Sequence, residues 1–558
     1  MPLTKIIATI GPSIQDYNTL KKIAISGMDC IRINTAHASI ESVALIAGMR
    51  KKIEKETGKV VSIMIDLKGE ELRILTKDGD VEIKEGMEYT ITDSSFKNSR
   101  LAFNVGKAID AANSGDIIVA MDGKVSLEVK TRTGNSLKVT AKTDGVIKNM
   151  GRLNIPGRYV PLASITERDR QFLQAGIDNA VEYCAMSFVQ TSAQINELHD
   201  IIMSMKGQMK VIAKIETRKA LDNISEIVSV SDVIMVARGD LGVEVPLSEV
   251  GMAQKEIIRA AHRRGVPTIV ATQILESMVN SESPTRAEVS DITNAILDNA
   301  DSLMLSEETA IGKYPEEAVK TLVRIASYVE GIVVHFPGPE DYLGNRVTFS
   351  ISKATRVISD EVESDAIVVL TRTGNTARMV SAVRPSMKII AVVKERVIAG
   401  FTTLLRGVTP IILDSEISDS VNLNEIISFI REKGMIKPGE RIVVTSGIPE
   451  MVFGGTTEVK VVTVGDVIGR GFATGTDING TMTRAPDYSG EIIIATDSPD
   501  IDMLKGKKGV IFEKQFRRED IDRLKSLNMT FVGGTVFFRK VKNGESVSID
   551  VEIGVIYK

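Results

Sequence analysis

Residues 5–34 read KIIATIGPSIQDYNTLKKIAISGMDCIRIN, and residues 60–67 read VVSIMIDL. Lys5–Ile10 is a short apolar run. Asp16–Ser26 carries apolar residues at helical spacing and is closed by Gly27, and Asp29–Asn34 is apolar again. A second amphipathic stretch, Ile40–Thr57, leads into Val60–Leu67. The series strand–helix–strand–helix–strand implies parallel strands joined by right-handed crossovers.

Further along, the rhythm changes and then returns. From Ile74 to Tyr159 the segments are short, alternating and rich in turns, with strands expected at Val81–Lys84, Glu88–Ile91, Asp116–Met121, Val125–Thr131 and Ser136–Thr140. This predicts a small β domain, residues 74–159, inserted into the α/β one. Thr166, followed by acidic residues, is a helix cap. Strand-like runs follow at Tyr183–Val189, Lys210–Ile215, Asp232–Ala237, Thr268–Thr272 and Ser302–Leu305, each separated by a helix-length stretch. Three strands before the insertion and five after it suit a (β/α)8 barrel of about 250 residues, built from residues 1–73 and 160–335. An open, doubly wound sheet fits the same count. His335–Leu343 reads as a linker, residues 344–465 as a second α/β domain, and residues 467–558 as a β-leaning extra domain.

Composition narrows the function. Lys plus Arg is 69 against 73 for Asp plus Glu, a net charge of −4, which gives no general field for nucleic acid. Aromatic residues are 4% with no Trp, so no stacking platform for single strands is expected. No apolar run is long enough to span a membrane, and the N-terminus runs straight into a strand without a signal pattern. Cys30 and Cys184 sit in apolar runs and read as core thiols of a reducing compartment, so a cytoplasmic, multidomain, soluble protein is expected.

Charge gathers where the expected barrel strands end. Strand two ends in Arg32 and Asn34, strand three in Asp66 and Lys68, strand five in Lys214 and Glu216, and strand six in Arg238 and Asp240. Residues two apart on a strand share a face, and active sites of such barrels lie at this end. A ring of rim salt bridges would account for one such pair; four charged ends of eight point to a site. Glu216 and Asp240 are hard oxygen donors suited to Mg²⁺. Lys214 beside them suits a transferring phosphoryl group, where catalysis is positioning and charge neutralisation. The turn Arg238–Gly242 opens a short helix whose N–H groups suit a carboxylate or phosphate.

Over residues 1–465 the chain closely resembles pyruvate kinases. The matching stretches include TKIIATIGPS, IRINTAHAS, MIDLKGEELR, RLNIPG, AMSFVQ, VIAKIE, DVIMVARGDLGVEVPLSEV, ATQILESM and SPTRAEVSDITNAILDNADSLMLSEETAIGKYPEEAV. The resemblance implies a catalytic barrel, a β-barrel lid and a C-terminal α/β domain. It implies transfer of phosphate from phosphoenolpyruvate to ADP, giving pyruvate and ATP, in a cytoplasmic homotetramer. Lys214 would stabilise the transferring group, and Arg32 would contact the substrate phosphate. Glu216 and Asp240 would hold Mg²⁺ or Mn²⁺. Gly239, Asp240 and Thr272 would receive the substrate carboxylate, with Thr272 near the methyl protonation site. Asn34, His37 and Arg73 would approach ADP, and Asn34, Asp66 and the Leu67 carbonyl would ligate K⁺.

Several positions depart from that pattern. Ala36 stands for the usual K⁺-ligating Ser, while Glu71 is the residue of K⁺-dependent members, so the K⁺ requirement is left open. Glu70 replaces a Pro and Glu307 a Gly. Asn149 and Met150 stand where paired lysines are frequent, with Lys148 and Arg152 as substitutes. The loop Thr371, Arg372, Thr373, Gly374, Asn375 and Thr376 follows a strand and opens a helix, so an anionic effector is expected there, with Arg372 or Arg384 near; plain N-capping explains Thr373 equally. The tail, GRGFATGTDINGT then SGEIIIATDSPDIDML, resembles a swivelling phosphohistidine domain, yet no His follows His335, so a structural or assembly role is expected. Two alternative readings are a catalytically silent phosphoenolpyruvate- or nucleotide-binding regulator on this fold, and a divalent-metal aldolase or lyase.

Overall fold

The computed structural model describes all residues except 98, 122, 159, 161, 334–335, 414–422, 447–457, 466, 497–499, 515–516 and 553. The start of the expected linker, His335, lies outside the described residues. The chain forms two compact units, one of residues 1–357, 368–412 and 445–458, the other of residues 358–367, 413–444 and 459–558.

In the first unit, the eight expected strands are Lys5–Thr9, Cys30–Asn34, Ser62–Leu67, Tyr183–Met186, Lys210–Ile215, Val233–Ala237, Thr268–Ala271 and Ser302–Leu305. They close into a parallel barrel. Closure is made by the first and last strands, with Lys5 opposite Ser302 and Ala8 opposite Leu305, so the open-sheet alternative is excluded. Helix starts follow the sequence cues. The Asp16 side chain accepts from the Thr19 N–H, and Thr166 and Asp169 form a reciprocal capping box.

The barrel has two apolar layers. Ile7, Cys30, Met64, Ala185, Ile212, Met235, Ile269 and Met304 fill its interior, and the alternate strand residues pack under the helices. Period-two alternation then decides where the charged residues point. Arg32 and Asn34 continue the inward row begun by Cys30, Asp66 that of Met64, and Lys214 and Glu216 that of Ile212. They therefore cap the interior at its C-terminal mouth.

The inserted domain is a closed seven-stranded barrel with a separate pairing of Val81–Ile83 and Gly145–Ile147. Four of its strands were not expected from the sequence: Arg73–Thr76, Leu101–Phe103, Gly145–Ile147 and Gly151–Asn154. Downstream, Lys388–Val393 and Val408–Ile412 pair in parallel beside the helix Asn375–Ala382. In the second unit, seven strands from Val467–Thr474 to Val555–Tyr557 close a further barrel around Ile468, Met482, Ile492, Ile511, Val532 and Ile549. Its helix Arg518–Ser526 was not expected either.

Candidate active site

At the mouth of the first barrel, four strand ends contribute one charge cluster. The Arg32 guanidinium donates to Asp66 Oδ2 through Nε at 2.9 Å and through its terminal nitrogen at 2.6 Å. Its other terminal nitrogen donates to Thr9 Oγ1 at 3.0 Å. The Lys214 ammonium lies 3.2 Å from Asp66 Oδ1 and 2.9 Å from Glu216 Oε1. It also donates to Ser187 Oγ at 2.8 Å, and Ser187 donates in turn to the Leu67 carbonyl. Burial works against the Lys214 charge, but Asp66 and Glu216 more than offset it and hold its pKa above the ordinary lysine value. Burial, joined by the Asp240 charge, pushes the Glu216 carboxyl up to about 7 against the pull of Lys214.

Glu216 and Asp240 suit a divalent cation. Glu216 Oε2 accepts the Phe188 N–H at 2.7 Å. The buried Oε1 faces Lys214 but takes no well-aligned hydrogen bond, leaving a lone pair for a cation. Two carboxylates with water and substrate oxygens are an ordinary Mg²⁺ shell. Among the described residues there is no group of three or more His, Cys, Asp and Glu able to hold a metal.

The loops beside this cluster are strained. Phe188, Thr272 and Gln273 hold φ of +54°, +67° and +54°, a region that side-chain-bearing residues seldom adopt and that concentrates at functional sites. Thr272 Oγ1 accepts the Gly239 N–H at 2.9 Å. Arg238, expected to pair with Asp240, turns away. It binds Asp291 at 2.6 Å and donates to the Thr272 and Gln273 carbonyls at 2.7 and 3.1 Å, bracing the strained turn.

The remaining positions are more peripheral. His37 is exposed, and Asn34 Oδ1 accepts the Ala36 N–H at 3.1 Å. Glu71 pairs with Arg73, which also donates to the Met150 carbonyl. Glu70 accepts the Ala163 N–H where the chain returns from the inserted barrel, and Glu307 is exposed. Of the two lysine substitutes, Lys148 is exposed, whereas the Arg152 guanidinium reaches Asp240. In the downstream loop, Thr371 Oγ1 accepts the Gly374 N–H and Thr373 Oγ1 accepts the Asn375 N–H. Gly374 takes a left-handed conformation to start the helix. Arg384, expected near that loop, is instead buried against Asp301 and His262.

Sequence reasoning gave no role to Thr9, Ser187, Phe188 or the bracing by Arg238. Ser187 and Phe188 lie in AMSFVQ, directly after strand four, and their position past a barrel strand end was the available signal.

Comparison with known proteins agrees with the fold. Residues 1–319 match the pyruvate kinase barrel domain, and residues 350–462 match the pyruvate kinase alpha/beta domain. The chain is 42% identical to pyruvate kinase of Thermoplasma acidophilum, over 99% of this chain and 98% of that one. It is 33% identical to pyruvate kinase of Staphylococcus aureus, over 100% and 99%. A crystal structure of a pyruvate kinase from Cryptosporidium parvum superposes with a TM-score of 0.78 at 30% identity, covering 83% of this chain and 96% of that one. With both domain models matched in order and relatives aligned from end to end, the chain belongs to the pyruvate kinase family.

Proposed function

We propose that this protein transfers the phosphoryl group of phosphoenolpyruvate to ADP, yielding pyruvate and ATP, as a glycolytic kinase. The observation that carries the reading is the Lys214 ammonium held between Asp66 and Glu216 at the barrel mouth. Lys214 and Arg32 neutralise the phosphate while the bond to the enol oxygen breaks and one to ADP forms. The Gly239 and Asp240 backbone and Thr272 hold the substrate carboxylate, with Thr272 beside the carbon that takes a proton to complete pyruvate. A divalent cation, Mg²⁺ or Mn²⁺, held by Glu216 and Asp240 supplies further charge neutralisation for that transfer. Asn34, His37 and Arg73 face the nucleotide, and Asn34, Asp66 and the Leu67 carbonyl would hold K⁺, without a hydroxyl at Ala36.

The four-domain division (barrel 1–73 and 160–335, lid 74–159, α/β domain 344–465, extra domain 467–558), the homotetramer and the cytoplasmic location belong to the same reading. So does an anion effector on Thr371–Thr376. Supporting it, Thr373, Gly374 and Asn375 line a cavity of about 490 Å³ that Lys210, Arg264 and Arg378 also border, a size suited to a small phosphorylated ligand.

The test is pyruvate release from phosphoenolpyruvate, ADP and Mg²⁺, with and without K⁺, beside Lys214→Ala. Turnover in the parent falling by about 10²–10³-fold or more in the variant is expected. The K⁺ comparison reads the effect of Ala36. Folded protein that binds phosphoenolpyruvate without turnover would point to the regulatory alternative.

A further inference from the structure

The lid strand Gly151–Asn154 runs along the short helix Arg238–Glu244 and meets it at two points. Arg152 pairs with Asp240, and Asn154 Nδ2 donates to Glu244 Oε1 at 2.8 Å. The spacings match, since two residues on a strand cover about 6.6 Å and four on a helix about 6 Å. Arg152 and Asn154 therefore share one face of the strand and engage successive carboxylates on one face of the helix.

The surroundings of Arg152 make this more than a rim salt bridge. Its guanidinium lies 5.1 Å from the centre of the Phe188 ring, and the Phe188 N–H is the donor that fixes Glu216. The same group thus sits on one carboxylate of the metal pair and against the residue that positions the other. The negative groups around it are Asp240, Glu216 and Glu71. The lysines usual at this point of the lid are absent: Asn149 Oδ1 is turned to the Thr76 N–H, and Met150 is exposed. A cavity of about 40 Å³ beside Arg152, bordered by Glu71, Thr217 and Glu244, leaves space next to its present seat.

We infer that Arg152 is a lid-borne counter-ion that competes with the divalent cation for Asp240, so that metal entry and release of this lid contact are one equilibrium. The inference rests on the assignment of Glu216 and Asp240 as the metal pair under the proposed function. A guanidinium in contact with Asp240 and a divalent ion on the same carboxylate repel each other, so each weakens the other. By linkage, the factor by which Arg152 lowers metal affinity is the factor by which metal loosens the lid contact.

The experiment measures Mn²⁺ binding without substrate or nucleotide, by electron paramagnetic resonance, on the full-length parent, Arg152→Met and Arg152→Lys. Met keeps a chain over Phe188 without charge, and Lys keeps the charge. The expected result is affinity about 5–150-fold higher in Arg152→Met, the usual range of site coupling, and within about threefold of the parent in Arg152→Lys, half in free energy of the tenfold that 1.4 kcal/mol represents. Hydrogen exchange of the Gly151–Asn154 amides gives an independent readout. It should quicken with Mn²⁺ in the parent and be already fast and insensitive to Mn²⁺ in Arg152→Met. Equal affinity in the parent and Arg152→Met, including no binding by either, together with exchange indifferent to Mn²⁺, overturns the inference. Tighter Mn²⁺ binding in a protein that makes no pyruvate would keep this inference and remove the kinase reading. Turnover with unchanged Mn²⁺ affinity would do the reverse.

Discussion

Thr272 is a β-branched residue held at φ +67° immediately after a barrel strand, and its hydroxyl accepts the Gly239 N–H. Such a conformation costs on the order of 1–3 kcal/mol and persists where surrounding structure imposes it. Here the Arg238 guanidinium does so, bridging the Thr272 and Gln273 carbonyls to Asp291. Two substitutions separate the hydroxyl from the turn. Thr272→Ser keeps an acceptor for Gly239 and a hydroxyl at the proposed protonation site, so kcat should stay within about tenfold. Thr272→Ala removes both, and kcat should fall by about 10²-fold or more, in the range for loss of a positioned proton-transfer group. Steady-state kinetics with both substrates checks this; a Thr272→Ala enzyme altered in KM alone would show that the hydroxyl only binds.

Among elements, the junction of strand three, strand four and their covering helices turns on one buried carboxylate. Glu182, just before strand four, is 1% exposed. It accepts from Arg50 of the helix Ile40–Thr57 at 2.7 Å, from Arg396 at 2.8 Å and from the Ile63 N–H at 2.7 Å. Burial raises its pKa against the pull of Arg50 and Arg396. Glu182→Gln would leave Arg50, itself 2% exposed, without its counter-charge, and breaking a buried pair from one side costs about 3–5 kcal/mol. Urea unfolding should show a loss of that order; a change below about 1 kcal/mol, the worth of an exposed pair, would mean that the pair is solvated.

The barrel elements were legible because each strand is an apolar run and several helices start at a capping side chain, such as Asp16, Ser39, Thr166 and Thr285, and both are local properties. Barrel closure was not, because it depends on Lys5 pairing with Ser302, far along the chain. The charged strand ends were legible from period-two alternation, which put Arg32 with Asn34 and Lys214 with Glu216 on shared faces, while the direction of those faces follows from the closed barrel. The lid strand Gly151–Asn154 was missed because Gly-Arg-Leu-Asn holds one apolar side chain. Missing it hid which of Lys148 and Arg152 reaches the site. The turning of Arg238 toward Asp291 is likewise a tertiary choice that spacing alone does not encode.

At the scale of the whole first unit, a buried charge cluster joins the barrel to the segment 368–412. Arg384 is 2% exposed and held at φ +58°. It donates to Asp301 Oδ1 at 2.5 Å and to the Asn299 carbonyl at 3.0 Å, and it meets His262 Nε2. His262 lies at the end of the helix Leu247–His262, and its ring nitrogen is 3.9 Å from Asp301 Oδ2. Burial, then the Arg384 charge, lowers the His262 pKa from 6.5 despite the opposing pull of Asp301. The folded unit therefore binds fewer protons at His262 than the unfolded chain does. The stability this contributes is present above 6.5 and is lost as pH falls through 6.5 toward the folded value. Protonation would also remove the acceptor that Arg384 uses, setting two cations against each other. Asp301 titrates in another window: burial raises its pKa, but Arg384 and His262 outweigh it and hold it well below 3.8, so its contribution is lost only under stronger acid. Thermal unfolding of the parent should thus fall in midpoint between about pH 7.5 and pH 5.5, by an amount that His262→Gln reduces, since Gln offers Arg384 a carbonyl acceptor that does not titrate. Equal falls in the parent and His262→Gln across that interval would place the acid sensitivity elsewhere in the fold.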